Sequence, residues 1–318
     1  MAATTIKNYL SLVKFSHTIF ALPFALIGFS LGLTSLISFA QACKLGLIFP
    51  YQTGVNVTNI DCYALVKQAL TVKLTLILIC MVTARSAAMA FNRWLDAKYD
   101  ALNPRTAVRE IPAGIISSKN ALLFTIGSSI LFIVTCFFIN PLCMALSPVA
   151  LFVILFYSYT KRFTALCHLV LGVGLSLAPI GAYIAVTGHF DLLPVLFSFT
   201  VLFWVSGFDI IYALQDEAFD KEHQLHSIPA AVGKANALRV SQLLHLLAAA
   251  CVVFAGIHGH FSWTYWLGVV VFIGMLIYQH SIVKPTDLRK VNLAFMTANG
   301  IASVVFAVFV LLDIFINR

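Results

Sequence analysis

Asn92, Asp96 and Asp100 are spaced four apart, and Asp216 and Asp220 repeat that spacing, with Asp209 and Tyr212 upstream of them. On a helix this interval stacks side chains along one face, where like charges repel unless a cation lies between them. The natural filler is a hard divalent ion. Mg2+ prefers oxygen ligands, takes one or two carboxylates and leaves the rest of its shell to water and substrate phosphates. Two acidic pairs therefore point to two Mg2+ ions holding one diphosphate, with Asp96, Asp100, Asp216 and Asp220 as ligands. The alternative is a pair of solvated, salt-bridged helix ends.

Eight of the 12 acidic residues fall in these two places: Asp96, Asp100 and Glu110, then Asp209, Asp216, Glu217, Asp220 and Glu222. Only Asp61, Asp191, Asp287 and Asp313 lie elsewhere. Each cluster is followed by the same tripeptide, Ile111-Pro112-Ala113 and Ile228-Pro229-Ala230, a trace of internal duplication that would bring the acidic faces together. Arg105, Arg109, Lys161 and Arg162 are close by in sequence and suit diphosphate oxygens through charge-assisted hydrogen bonds. A Lys-Arg pair in a short loop equally serves membrane topology.

The elements that must position these groups are membrane helices. The chain is 61% hydrophobic, carries 27 Phe and has a mean hydropathy of +0.96. A spanning helix needs ~20 mostly apolar residues, because lipid offers no partner to backbone N–H and C=O groups. The apolar runs predict nine helices, near 15–38, 70–91, 119–139, 142–159, 165–186, 192–213, 237–258, 262–281 and 293–316. The fold class expected is thus all-α and polytopic. At Asn140-Pro141 the proline either separates two helices or kinks one longer helix. Cleavage of the first helix as a signal peptide is not expected, because its apolar core is too long and Pro23 sits inside it. MAATTIKNYL is likewise no Arg-rich transit peptide, and a bacterial inner membrane is the simpler home.

The net charge of +8 reports topology. With a cytoplasmic N-terminus, 15 of the 20 Lys and Arg fall in or beside cytoplasmic segments, leaving Lys44, Lys67, Lys73 and Arg318 outside and Arg85 within a helix. Both acidic loops then face the cytoplasm. Nucleic-acid binding is not expected, since no soluble domain gathers the basic residues on one surface. Cys80, Cys136, Cys143, Cys167 and Cys251 lie in apolar helices, where a thiol ordinarily behaves as a small hydrophobe. Cys43 and Cys62 fall in the long outer loop at 39–69, where an oxidising compartment permits a disulfide. Asn56-Val57-Thr58 in that loop matters only in a host that glycosylates it.

The run Asn92-x3-Asp96-x3-Asp100 resembles the NxxxDxxxD motif of the UbiA superfamily of intramembrane prenyltransferases, and Asp209-x2-Tyr212-x3-Asp216-x3-Asp220 resembles its DxxYxxxDxxxD motif. The resemblance spans the whole chain as one domain, 1–318, except 39–69, which looks like an insertion. KFSHTIFALPFAL and NPRTAVREIPAG look most like the 4-hydroxybenzoate polyprenyltransferase branch and its relatives that serve menaquinone synthesis. One departure is Glu110 after Arg109, where the family often has proline.

The resemblance implies a helical bundle with a central cavity, Mg2+ as cofactor, and polyprenyl diphosphate and an aromatic acid as substrates in ubiquinone or menaquinone synthesis. It implies Asn92, Asp96, Asp100, Asp216 and Asp220 as metal and diphosphate ligands, Asp209 and Tyr212 as shapers of the second loop, and Arg105, Arg109 and Lys161 as phosphate contacts. Lys14 and His17, at the start of the first helix, could meet the acid's carboxylate, while snorkelling and a backbone contact are their ordinary roles. Other readings are a dihydroxynaphthoate acceptor, a haem or chlorin acceptor, and a secondary transporter. Transporters place ions at the bilayer midplane on broken helices, whereas these acids sit at the interface. Labelling from outside intact cells is expected to reach the loop with Cys43 and Cys62 and to miss a cysteine placed at Ala101; the reverse pattern would invert the orientation.

Overall fold

The structure, a computed structural model, describes residues 2–44, 67 and 69–317. Among them the helices are α1 (Ala2–Leu12), α2 (Leu22–Lys44), α3 (Leu74–Leu95), the short α4 (Ala97–Leu102), α5 (Ser118–Ile139), α6 (Pro141–Thr160), α7 (Cys167–Thr187), α8 (Leu192–Ala213), the short α9 (Glu217–Glu222), α10 (Ile228–His258), α11 (Trp263–Ile282) and α12 (Asn299–Ile316). Nine stretches among the described residues are long and apolar enough to cross a membrane. The protein is a multi-pass, all-α membrane protein.

Several boundaries differ from the sequence reading for identifiable reasons. The first membrane helix is preceded by a tight 3-10 segment, Phe15–Phe20, whose entry residue Lys14 is left-handed (φ 47°). The amphipathic α1, not anticipated, precedes it. Residues 39–44 continue α2 rather than opening the loop, and residues 45–66 lie outside the described residues, with Cys62 and the Asn56 sequon among them. Asn140 resolves the Pro141 ambiguity in favour of two helices: its backbone is extended and its side chain accepts from the Cys143 N–H at 2.8 Å, capping α6. The seventh span begins at Ile228, and Gly233 (φ 78°) breaks its first turns.

Packing explains where the cavity lies. α3 rests on α5 and α6, α8 rests on α7 and α10, and α2 closes the bundle between α7 and α12. A cavity of about 800 Å3 occupies the space left between α3 and α8. The other half of the bundle is a solid aromatic core, in which Phe24, Phe197, Trp204, Tyr265, Phe272 and Phe306 are fully buried. Polar ties orient it. Asn299 Oδ1 accepts from Trp204 Nε1 and Gln279 Nε2, both at 2.8 Å, and Asn299 Nδ2 donates to the carbonyls of Ala294 and Phe295, in the π-helical segment Leu293–Ala298.

Among the described residues, Asp191, Asp287 and Asp313 have structural roles. Asp191 caps α8 through the Leu193 N–H, and buried Asp313 accepts from Ser262 and from the Tyr265 N–H at the start of α11. Asp287 pairs with Arg289 in an exposed turn. Small residues let helices approach closely where lipid supplies no hydrophobic drive for association. A Cβ built on Gly28 of α2 would lie 2.0 Å from the carbonyl oxygen of Pro179 in α7, whereas one on Gly127 of α5 would meet nothing within 4 Å. Gly28→Ala is therefore expected to lower thermal stability in detergent by ~1–3 kcal/mol through overpacking, while Gly127→Ala raises it by ~0.5–1 kcal/mol through helix propensity.

Candidate active site

The two motifs begin on helices that barely meet, and their loops close over the cavity. In the last turn of α3, the Asn92 carbonyl accepts from the Asp96 N–H at 2.9 Å and the Asn92 amide donates to Asp96 Oδ2 at 3.1 Å. The chain bends at Asp96 and restarts as α4, so that Asp100 N–H bonds the Asp96 carbonyl at 2.8 Å and the four-residue stacking survives the bend. The second motif follows the same plan. α8 tightens into a 3-10 turn, Leu214–Asp216, before α9 carries Asp220 inward.

Contact between the loops is direct. Arg105, in the first loop, holds both oxygens of Asp216 in the second through Nε (3.0 Å to Oδ1) and Nη2. Its Nη1 donates to Tyr212 Oη at 2.9 Å, and its guanidinium lies 5.2 Å from the centre of the Tyr212 ring. Asn103 Nδ2 adds a third bond to Asp216 at 3.2 Å. The α6–α7 loop tethers both sides. Arg162 Nη2 donates to Asp96 Oδ1 at 3.1 Å and to the Leu95 carbonyl, and Lys161 Nζ lies 2.7 Å from Asp220 Oδ1.

Each of the four aspartates thus faces a cation: Arg162 at Asp96, Arg109 at Asp100 (2.6 Å), Arg105 at Asp216 and Lys161 at Asp220. Burial pushes the Asp96 carboxyl above its usual range, against the pull of Arg162. Burial also works against the charge on Lys161, but Asp220 outweighs it and leaves the ammonium above the ordinary lysine value. These basic groups are the ones the sequence marked for phosphate oxygens, so the loops hold matched acidic and basic groups that can exchange partners when a diphosphate and its cations enter.

The donor set fits a hard divalent ion. Asp100 Oδ2 is a buried carboxylate oxygen with no hydrogen-bond partner, and Arg93 Nη1 lies 3.9 Å from it. Among the described residues no three carboxylate, imidazole or thiol groups form a closed metal cage. That combination suits an ion that takes one or two carboxylates and completes its shell with phosphate and water.

Glu110 turns away from the site to accept from Ser11 of α1, which ties the amphipathic helix to the first loop. The repeated tripeptides are not equivalent in structure: Ile111-Pro112-Ala113 lies in a turn, while Ile228-Pro229-Ala230 opens α10 with Ser227 as its cap. Ser227 also donates to Asp220 Oδ2 at 2.7 Å, so one hydroxyl starts the helix and fixes the carboxylate. Lys14 borders the cavity, and the side chain of His17 lies outside the described residues.

His168 and Arg85 also border the cavity. His168, at the start of α7, is buried and pairs with Asp209 at 2.7 Å, while its other nitrogen faces the Ile228 N–H at 3.4 Å. Arg85, two turns before Asn92, donates through Nη2 to the Lys14 carbonyl at 2.9 Å and leaves its buried Nε without a partner. An arginine inside a membrane helix is itself the signal that marks Arg85 in the sequence. His168 had none, since nothing in sequence ties it to Asp209.

The sequence model of the UbiA prenyltransferase family matches residues 62–301. The chain belongs to the UbiA prenyltransferase family. Among curated relatives of this UbiA prenyltransferase, the 4-hydroxybenzoate octaprenyltransferase of Nitrosomonas europaea is 30% identical over 223 residues, 70% of this chain and 76% of the relative. An apo UbiA homolog from Aeropyrum pernix K1 superposes with a TM-score of 0.71 at 26% identity, covering 95% of this chain and 98% of that one. A UbiA homolog from Archaeoglobus fulgidus bound to DMAPP and Mg2+ shares the fold at 19% identity, with a TM-score of 0.68 over 97% of this chain and 99% of that one. This UbiA prenyltransferase is therefore an enzyme, with its two acidic loops closed over one intramembrane cavity.

Proposed function

We propose that residues 1–318 form one domain that transfers a polyprenyl group from polyprenyl diphosphate to the ring of an aromatic acid of the 4-hydroxybenzoate type, in quinone synthesis, with Mg2+ as cofactor and both acidic loops on the cytoplasmic face. The observation that carries this reading is Arg105 bound at once to Tyr212 and Asp216, which gathers both motifs and their four paired aspartates at one mouth of the cavity. The names of the curated relatives, and of the homolog bound to DMAPP and Mg2+, support the substrate class and the metal.

Asp96, Asp100, Asp216 and Asp220 would hold the metal, with Asn92 fixing Asp96. Bound Mg2+ supplies charge to the diphosphate as the allylic C–O bond breaks. Arg105, Arg109, Lys161 and Arg162, released from the aspartates, bind the same oxygens and stabilise the charge that develops there. Below the second motif a run of rings lines the cavity. Tyr212 lies 4.4 Å from Phe295, Phe295 5.5 Å from Phe208, and Phe208 5.3 Å from Phe20, centre to centre. Their faces can shelter an allylic cation while excluding the water that would trap it. The acceptor ring attacks that cation ortho to its hydroxyl and then loses a proton. Asp209, held by His168 at the cavity wall, is placed to take it.

The acid's own carboxylate needs a cation, because an unpaired charge in this environment is heavily penalised. Lys14 and Arg85 meet at that part of the cavity. Arg85 lines the cavity with its buried Nε unpartnered, and the Lys14 carbonyl holds its Nη2.

Two measurements test the reading on purified protein in lipid, with product mass and diphosphate release as readouts. Asp96→Asn is expected to lose more than 100-fold in turnover while remaining folded, and EDTA to abolish wild-type turnover; full activity in either case overturns the metal assignment. Lys14→Ala and Arg85→Ala are expected to raise the KM for 4-hydroxybenzoate, or for a dihydroxynaphthoate if that is the acid turned over, about tenfold or more, ~1.4 kcal/mol of lost binding, with the KM for prenyl diphosphate nearly unchanged. Unchanged acceptor kinetics in both variants would remove the carboxylate anchor from this corner of the cavity.

A further inference from the structure

The same cavity carries a second chemistry far from the aspartates. Cys80 of α3 and Cys136 of α5 both line it, and their Sγ atoms are 3.7 Å apart. Each thiol has the other as its hydrogen-bonding neighbour, and Cys143 of α6 lines the same cavity close enough to act electrostatically on both. Cys80 lies 16 residues before Asp96, which caps the end of α3, so the pair sits roughly 24 Å from the diphosphate end at 1.5 Å per residue. Ile77, Met81, Phe132 and Ile139 surround it on the cavity wall. This apolar depth suits the far part of a long prenyl chain, and a chain of two isoprene units ends well short of it.

A buried cysteine is ordinarily a small hydrophobic filler. Two features take this pair beyond that role. The sulfurs face open cavity rather than closed core, and they come from different helices at a bridging separation. Two thiolates on one pyramidal trivalent centre at a bond length of ~2.3 Å lie ~3.4 Å apart, a few tenths of an ångström inside the 3.7 Å spacing already present. Soft thiolate ligands select soft acceptors. Among the described residues no third ligand completes a metal cage, so the fitting partner needs two sulfurs and brings its own remaining substituent.

We propose that Cys80 and Cys136 form a two-thiol site for a soft thiophilic ligand of the trivalent organoarsenical class, set in the compartment that takes the distal part of the prenyl chain. Binding joins α3 to α5 and blocks that compartment. With phenylarsine oxide the step is a condensation: two S–H bonds break, two As–S bonds form, and the oxide oxygen leaves as water with both protons. Arsenic stays trivalent, and no oxidant is required. The compartment assignment rests on the polyprenyl reading above, whereas the thiol site stands on the sulfur geometry alone.

The test treats the full chain in lipid nanodiscs with phenylarsine oxide and reads intact mass. One phenylarsenic adduct per chain is expected, removed by dimercaprol, absent in Cys80→Ser and in Cys136→Ser, and retained in Cys251→Ser and in the double variant Cys43→Ser/Cys62→Ser. Octaprenyl diphosphate with Mg2+ is expected to slow adduct formation at least tenfold, and geranyl diphosphate or inorganic diphosphate with Mg2+ to leave it unchanged. Absence of the adduct, or its persistence in Cys80→Ser, overturns the site. Adduct formation without octaprenyl protection, in protein that turns that substrate over, overturns the compartment. If the protein prenylates no aromatic acid, the proposed function fails, and the adduct pattern still decides the thiol pair.

Discussion

Carboxylates brought together at the edge of a low-dielectric bundle must be matched by cations, and that requirement organises the acidic loops of this enzyme. Four aspartates from two motifs converge, and four basic side chains meet them one to one. Arg105 is central because it belongs to one loop and binds the other. Without such cross-pairing, like-charge repulsion and desolvation would drive the loops apart. The pairing is also suited to being broken. On the function proposed above, the basic groups held on carboxylates would turn to diphosphate oxygens, and the carboxylates they release would be free to hold a hard cation.

The rest of the bundle gives these loops a fixed frame. The aromatic core around Trp204 and Phe272 is solid, and buried polar ties centred on Asn299 set the rotation of α8, α11 and α12 within it. In lipid such ties add orientation where hydrophobic association is weak. α8 therefore presents Asp209, Tyr212 and, just beyond its end, Asp216 from a helix whose opposite face is anchored. The α3 side is more open. It packs on α5 and α6, and it borders the cavity along its length with Arg85, Asn92 and, at depth, Cys80.

Chemistry is consequently arranged by depth. Charged groups stand at the mouth, aromatic rings and the Asp209–His168 pair come next, with Arg85 near Lys14, and apolar wall with two thiols lies farthest in. A substrate with a doubly charged head and a long hydrocarbon tail matches that gradient in one orientation only. The polar head finds cations, and the tail finds a surface that costs no desolvation.

Much of this was legible in the sequence because its signals are local. Lipid demands long apolar runs, so the nine spans could be placed, although the seventh begins nine residues before the apolar run that marked it, and the four-residue interval put Asn92, Asp96 and Asp100 on one face despite the bend at Asp96. Remote partnerships were not legible. That Arg105 reaches Asp216 across 111 positions, that Arg162 serves Asp96 while its neighbour Lys161 serves Asp220, and that His168 holds Asp209 depends on helix packing that no spacing encodes. The five helix cysteines looked alike as apolar fillers; only the approach of α3 to α5 set two of them 3.7 Å apart on a cavity wall. Sequence alone determined which residue types lie at the interface and in lipid, since burial of backbone polar groups leaves no other solution. Tertiary structure decided which of those residues face one another, because contact between distant segments is set by how whole helices pack.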